Sequence, residues 1–244
     1  MEITELLPRQ LHLLRFPVGQ AYLWTDPNDI TLVDTGVPGQ GAAIAAAIEG
    51  LGYRPGQLAR MVITHHHQDH VGSADELRKR TGAPVLAHAG DIPYIQADIP
   101  PPDPASVLPP EELAKLRQIP PVDPAPPTTV DQAIGDGDRL DFGGGAVVLS
   151  VPGHTPGSIA LHLPEHGVLF TGDTVASAEG RVIPGVFNVD RAGVLAALRR
   201  LSELDIGLAC FGHGEPFSGD VPAALRAAAG LPALDGRRPT IGGP

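Results

Sequence analysis

Apolar residues along the chain fall into two patterns. Short, nearly continuous runs cover Leu11 to Leu14, Ala21 to Trp24, Ile30 to Val33 and Arg60 to Thr64. Similar runs follow at Pro84 to His88, Ala146 to Val151, Ile159 to Leu163, Val168 to Phe170 and Ile206 to Phe211. Their length and β-branched content predict buried strands. Other segments repeat at helical spacing. Ile44, Ile48 and Leu51 share one face of a helix over Gln40 to Leu51, with Gly52 as its stop. Ser73 is placed to N-cap a helix that begins at Ala74. Val194, Leu195, Leu198, Leu201 and Leu204 line one side of a helix over Arg191 to Leu204, with Asp190 as its N-cap. A closing helix is expected over Pro222 to Ala229. Gly135-Asp136-Gly137-Asp138 reads as a hairpin turn and Gly143-Gly144-Gly145 as another turn. Two blocks of strands followed by helix emerge, split near Val130, which predicts an α/β protein.

One stretch does not fit a purely structural reading. Ile63-Thr64-His65-His66-His67-Gln68-Asp69-His70 places four potential metal ligands, His65, His67, Asp69 and His70, on a loop between a strand and a helix. Imidazole and carboxylate are the donors that borderline metals such as zinc prefer. His65 and His67 are one residue apart, so in extended chain they point to the same side. Asp69 and His70 follow where the chain turns, and face a neighbouring position. The loop therefore offers two donors to one ion and two to a second. Neither pair fills a coordination sphere, so other segments must add ligands.

His65-x-His67-x-Asp69-His70 after an apolar strand resembles the signature of the metallo-β-lactamase-fold hydrolases. Further segments resemble that family's later motifs in order. Val147 to Ser158 contains Pro152-Gly153-His154-Thr155, Gly167 to Thr174 contains Gly172-Asp173, and Leu208 to Pro216 contains Gly212-His213. Thr31 to Gly36 is similar to the family's early strand and turn. The resemblance implies a four-layer αββα sandwich. It also implies one metal on His65, His67 and His154, a second on Asp69, His70 and His213, and Asp173 bridging them. Two zinc ions are the implied cofactor, with iron or manganese as alternatives. The implied chemistry is attack by a bridging hydroxide on a small ester, thioester, lactone or lactam, with Asp69 as catalytic proton carrier. Asp34 has two readings, a turn-initiating residue or, on the resemblance, a residue that orients the ligands from behind.

Within the superfamily, His67 stands where flavodiiron proteins carry Glu. Ala176 stands where acyl-homoserine-lactone lactonases carry Tyr. Only 31 residues follow His213, which counts against the basic helical extension of glyoxalase II. A mononuclear-iron oxygenase of the persulfide dioxygenase type is the alternative function. His12, His66, His88, His162 and His166 read as structural or surface residues, and Cys210 as an inert core thiol.

Prolines crowd residues 93–127, with one short helix expected over Pro109 to Leu116. The ligand motifs resume afterwards, so this stretch is an insertion in one domain spanning 1–234, followed by a tail over 235–244. Its stiffness suggests a semi-rigid lid over the metal site, with Tyr94 and Ile95 at its base. Val182 to Phe187 reads as an apolar loop able to line a substrate pocket. Lys+Arg 17 against Asp+Glu 28 gives a net charge of −11, which repels phosphate backbones and points to a small-molecule substrate, not nucleic acid. No N-terminal signal pattern and no long apolar run are evident, so a cytoplasmic location without membrane attachment is expected.

Overall fold

Antiparallel pairing opens the chain. The structure is a computed structural model that describes residues 1–232, so the expected tail over 235–244 lies outside the described residues. Strands β1 (Glu2–Leu7), β2 (Leu11–Arg15), β3 (Gln20–Thr25) and β4 (Ile30–Val33) pair in sequence order. Helix α1 (Gly41–Gly50) crosses over, and β5 (Leu58–Val62) joins β4 in parallel. Helices α2 (Gln68–Val71) and α3 (Ala74–Thr81) lead into β6 (Val85–His88), again parallel. Short helices α4 (Ile92–Ile95), α5 (Pro104–Val107) and α6 (Pro110–Leu116) lie in the proline-rich insertion. β7 (Gln132–Ile134) then completes a 7-stranded sheet in the order β1 to β7.

The second sheet uses β8 (Arg139–Leu140), β9 (Ala146–Ser150), β10 (Ile159–Leu163) and β11 (Val168–Phe170), antiparallel neighbours throughout. A separate hairpin follows, β12 (Val175–Ala178) with β13 (Arg181–Pro184). After α7 (Arg191–Leu201), β14 (Leu208–Cys210) lies parallel to β11, and β15 (Phe217–Ser218) forms the edge before α8 (Val221–Ala228).

Strand alternation divides the side chains among three apolar layers. On β3, Tyr22 and Trp24 point between the sheets, whereas Ala21 and Leu23 point toward α1 and α3. On β10, Ile159, Leu161 and Leu163 point between the sheets and Ala160 points toward α7 and α8. Both faces of these strands are buried, which is why they read as continuous apolar runs. The result is the expected αββα sandwich.

Several local expectations change. Glu2–Leu7 is a strand, unmarked in the sequence because its residues are mostly exposed at the sheet edge. Gly135 to Asp138 does not close a hairpin. It carries the chain from β7 in the first sheet to β8 in the second. Ser73 stands at the N-terminus of α3 but does not cap it. Its hydroxyl donates to Val37 O (2.7 Å) and accepts from Gln40 N (2.8 Å), so it serves the start of α1. Val182 to Pro184 is strand and not loop, because it pairs with Val175 to Ser177. Asp190 does cap α7, accepting from Gly193 N.

Candidate metal centre

Four loops converge at one end of the sandwich, and each follows a strand of the core. The first follows β5. Ile63 N still bonds to Leu86 O, so His65 leaves the sheet directly from its last paired turn. The single-turn helix α2 then brings Asp69 and His70 back over the loop. His70 is pinned from outside, its carbonyl accepting from Thr35 N (2.6 Å) and Thr35 Oγ1 (2.9 Å).

Asp34 follows β4 directly with φ +60°, a conformation that Asp tolerates better than most residues. That turn aims its carboxylate under the loop. Oδ1 accepts from Thr64 N (2.8 Å), and Oδ2 accepts from Thr64 Oγ1 and His70 Nδ1 (both 2.8 Å). Of the two readings of Asp34, these contacts fit the one in which it orients ligands.

The second half supplies the remaining side chains. His154 lies between β9 and β10, Asp173 on a 3-10 turn after β11, and His213 just after β14. Two glycines are needed for the close approach. A Cβ on Gly212 would overlap Asp173 Oδ1 and His70 Cε1. At Gly153 it would lie 2.5 Å from Val194 N at the start of α7.

Three groups of donors lie within 4.8 Å of one another among the described residues: His65, His67 and His154; Asp69, His70 and His213; and His65, His70 and Asp173. All seven sequence-expected ligands are thus brought together. Asp173 stands between the first two groups. Its Oδ2 is 3.6 Å from His154 Nε2, 4.0 Å from His65 Nε2 and 3.2 Å from His213 Nε2. Its Oδ1 is 3.2 Å from His70 Nε2. His213 is 40% exposed in its side chain whereas His65, His70 and His154 are buried, so the cluster opens on the His213 side.

Hydrogen bonding fixes which ring nitrogens face the cluster. Thr64 Oγ1 gives its proton to Asp34, so it accepts from His65 Nδ1–H at 3.1 Å. His65 Nε2 is then unprotonated and points inward. His70 donates Nδ1–H to Asp34, leaving Nε2 inward. His67 presents Nδ1, 3.2 Å from His65 Nε2 and 2.9 Å from His154 Nε2. Three ring nitrogens converge there with at most one proton to share. His70 Nε2 and Asp173 Oδ1 are buried and face each other at 3.2 Å, outside good hydrogen-bond geometry. Buried ring nitrogens and carboxylate oxygens aimed at a common point call for positive charge between them, as protons or a cation.

Protonation tells the same story. Burial holds the His65, His67 and His154 imidazoles below their ordinary range, so they are neutral donors. Burial would also lower His70, but Asp173, Asp69 and Asp34 carry it well above that range. Asp173 raises His213 to about 10. Burial opposes ionisation of Asp173 and Asp69, yet their histidine neighbours hold Asp173 well below the carboxylate range and Asp69 at about 2. The carboxylates therefore stay anionic and draw positive charge, which protons on His70 and His213 or a metal ion can supply. The residues fit a metal.

Two participants lacked a sequence signal. Asp91 is fully buried and accepts from His66 N, Gly157 N and Thr155 Oγ1, with His66 Nδ1 at 3.1 Å. It ties the first ligand loop to the His154 loop. Asn188 backs His154 with Oδ1 3.2 Å from Nδ1. His12, His66, His88, His162 and His166 are outside every donor group. Cys210 is buried in the sheet interface, and burial pushes its thiol pKa far up.

Comparison with known proteins agrees with this geometry. The family described as Metallo-beta-lactamase superfamily matches residues 14–213. The chain is 28% identical over 232 residues to a Bacillus subtilis (strain 168) protein named "Probable metallo-hydrolase YflN", covering 86% of this chain and 85% of that one. It is 33% identical over 202 residues to the hydroxyacylglutathione hydrolase of Fuscovulum blasticum, covering 82% of this chain but 64% of the relative's length. Among solved structures, a metallo-beta-lactamase family protein of Thermus thermophilus superposes with TM-score 0.69 at 24% identity, over 93% of this chain and 80% of the other. The subclass B3 metallo-beta-lactamase BJP-1 of Bradyrhizobium japonicum gives 0.69 at 21% identity, over 94% and 90%. These two likenesses establish the fold. The family match and the converging donors together place the chain in the metallo-beta-lactamase superfamily, as one of its metal-dependent hydrolases.

Proposed function

We propose that the chain is a dinuclear zinc hydrolase of small thioesters and related carbonyl substrates. The observation that carries this reading is the Asp173 carboxylate standing between two three-donor groups. His65, His67 and His154 would hold one ion, Asp69, His70 and His213 the other, and Asp173 both. When bound, such ions supply Lewis acidity that lowers the pKa of water and polarises a carbonyl.

The chain's own residues do the rest. Neutral His65 and His154, both buried, and half-buried His67 offer lone pairs from one wall. Asp34, through His70 Nδ1 and Thr64, keeps two of the rings in the correct tautomer. Asp69 stays ionised, so its carboxylate can accept a proton from the attacking water and return it to the departing sulfur or oxygen. The balanced step forms one C–O bond, breaks the C–S or C–O bond, and leaves an acid and a thiol or alcohol. The exposed side at His213 admits the substrate. Thioesters are favoured because several relatives are named hydroxyacylglutathione hydrolases, although the chain spans 64% and 55% of the length of the first two. A net charge of −11 counts against nucleic-acid substrates. Among the described residues no helix is long and apolar enough to cross a membrane.

The test is metal analysis of purified protein with turnover on thioesters, lactones and β-lactams. About two zinc ions per chain with thioester hydrolysis is expected. One tightly bound iron with oxygen uptake would replace this reading by the oxygenase.

A further inference from the structure

Behind His154 stands a side chain that the proposed chemistry does not use. Asn188 is buried, and its Nδ2 donates to Gly185 O at 2.6 Å. That bond fixes the amide, so Oδ1 is the atom 3.2 Å from His154 Nδ1. An amide oxygen can only accept, so Nδ1 carries the proton. Nε2 is then left bare, facing His67 Nδ1 at 2.9 Å and Asp173 Oδ2 at 3.6 Å. Asn188 does for His154 what Asp34 does for His70, without a charge.

Asn188 is itself held from an unexpected direction. Its backbone N–H donates to Glu112 Oε2 at 3.3 Å. Glu112 belongs to α6 of the proline-rich insertion, and its side chain is 13% exposed. The Arg191 guanidinium stands 3.9 Å from its other carboxylate oxygen. An acid so far covered, reaching out of an insertion onto this backbone, fixes the insertion to the His154 side of the site. A second fixing point lies on the other ligand loop. In the amide orientation that satisfies its surroundings, Gln68 Nε2 donates to Val122 O (2.9 Å) and Asp123 O (3.0 Å). Gln68 sits between His67 and Asp69 in the chain.

We infer that Asn188 is a positioning residue for His154 and that Glu112 holds Asn188, so that the proline-rich insertion sets the metal affinity of the His65, His67 and His154 group. The assignment presupposes the metal centre proposed above. A tautomer-selecting partner of a metal-binding histidine is worth about 10- to 100-fold in affinity.

Cobalt(II) titration of metal-free full-length protein, read by its visible absorption and by competition with a chelator, tests this. Asn188→Ala is expected to weaken one of two binding steps about 10- to 100-fold and leave the other unchanged. Glu112→Ala should weaken the same step by less. Glu112→Gln keeps an acceptor for Asn188 N–H and should titrate like the wild type. A wild-type titration and spectrum for Asn188→Ala would overturn the positioning role. A wild-type titration for Glu112→Ala beside a weakened Asn188→Ala would overturn the insertion's part. Equal weakening of both steps together with a fallen melting temperature would mean a merely structural role, and would also overturn it. Wild-type protein that bound no cobalt would remove the metal centre itself, an outcome that the metal analysis above detects independently.

Discussion

Asp34→Asn is the most economical change that separates orientation of a ligand from packing around it. Size and shape are kept, and Asn tolerates φ +60° as well as Asp does. Oδ1 still accepts from Thr64 N. The atom replacing Oδ2 is now an NH2 that faces Thr64 Oγ1 and His70 Nδ1, where the carboxylate oxygen accepts from both at 2.8 Å. A donor cannot face Nδ1–H, so the His70 proton must move to Nε2, the atom that faces Asp173 and Asp69. The inward lone pair is lost. Returning it means burying an unpaired donor against a donor, at about 1–3 kcal/mol, or roughly one to two decades of affinity at about 1.4 kcal/mol per decade. Thr64 Oγ1, now receiving the amide proton, also holds His65 Nδ1–H less well. Metal binding to the Asp69, His70 and His213 group should therefore fall about 10- to 100-fold while the circular-dichroism spectrum and fold persist. Chelator competition gives the affinity, and nitrogen-15 NMR of the imidazoles in metal-free protein shows which His70 nitrogens carry protons. Unchanged affinity together with an unchanged His70 tautomer would refute the reasoning.

Three further outcomes are expected. Asp173→Asn should lose one ion before the other and lower hydrolysis at least ~10²-fold, the scale of single catalytic groups; wild-type turnover with two ions bound would sink the bridging role. Gly212→Ala forces a methyl onto Asp173 Oδ1, so metal content should drop with the ligand set intact in sequence; full metal loading would show that the strand end gives way freely. Asp131 is held below the usual carboxylate range by hydrogen bonds from Arg78, so its stabilisation is fully present above the unfolded carboxylate pKa and is lost as pH falls through the lower folded value. Asp131→Asn should thus lower the denaturation midpoint at pH 7, with the gap to wild type closing only in strong acid; a gap independent of pH would discount the pair.

The candidate metal cluster was legible because metal binding restricts residue type within short spacings. His65, His67, Asp69 and His70 announce themselves in one loop, and Gly153-His154, Gly172-Asp173 and Gly212-His213 repeat a small residue that close packing requires. The buried strands were legible because both faces are apolar. What stayed hidden depends on partners distant in sequence. Asp91 looks like any turn acid until the fold brings Thr155 and Gly157 to it. Asn188 has no local pattern, since its meaning comes from His154 and Glu112. Glu2–Leu7 is polar outward, and only its pairing with β2 makes it a strand. Gly135 to Asp138 carries turn chemistry in either topology, so residue type alone could not tell a hairpin from a passage between sheets.

That passage divides the candidate ligands as well as the strands. Everything before Gly135 contributes His65, His67, Asp69 and His70, and everything after Asp138 contributes His154, Asp173 and His213. Neither half owns a complete set, so metal capture would report on the docking of one sheet against the other. An ion held by both halves would act as a rivet through the seam. By mass action, free metal at a hundredfold excess over its dissociation constant would add about 2.7 kcal/mol per site to the folded state. Chelation should accordingly loosen the seam between the halves before it disturbs either sheet, and heat resistance would then become a measure of metal supply.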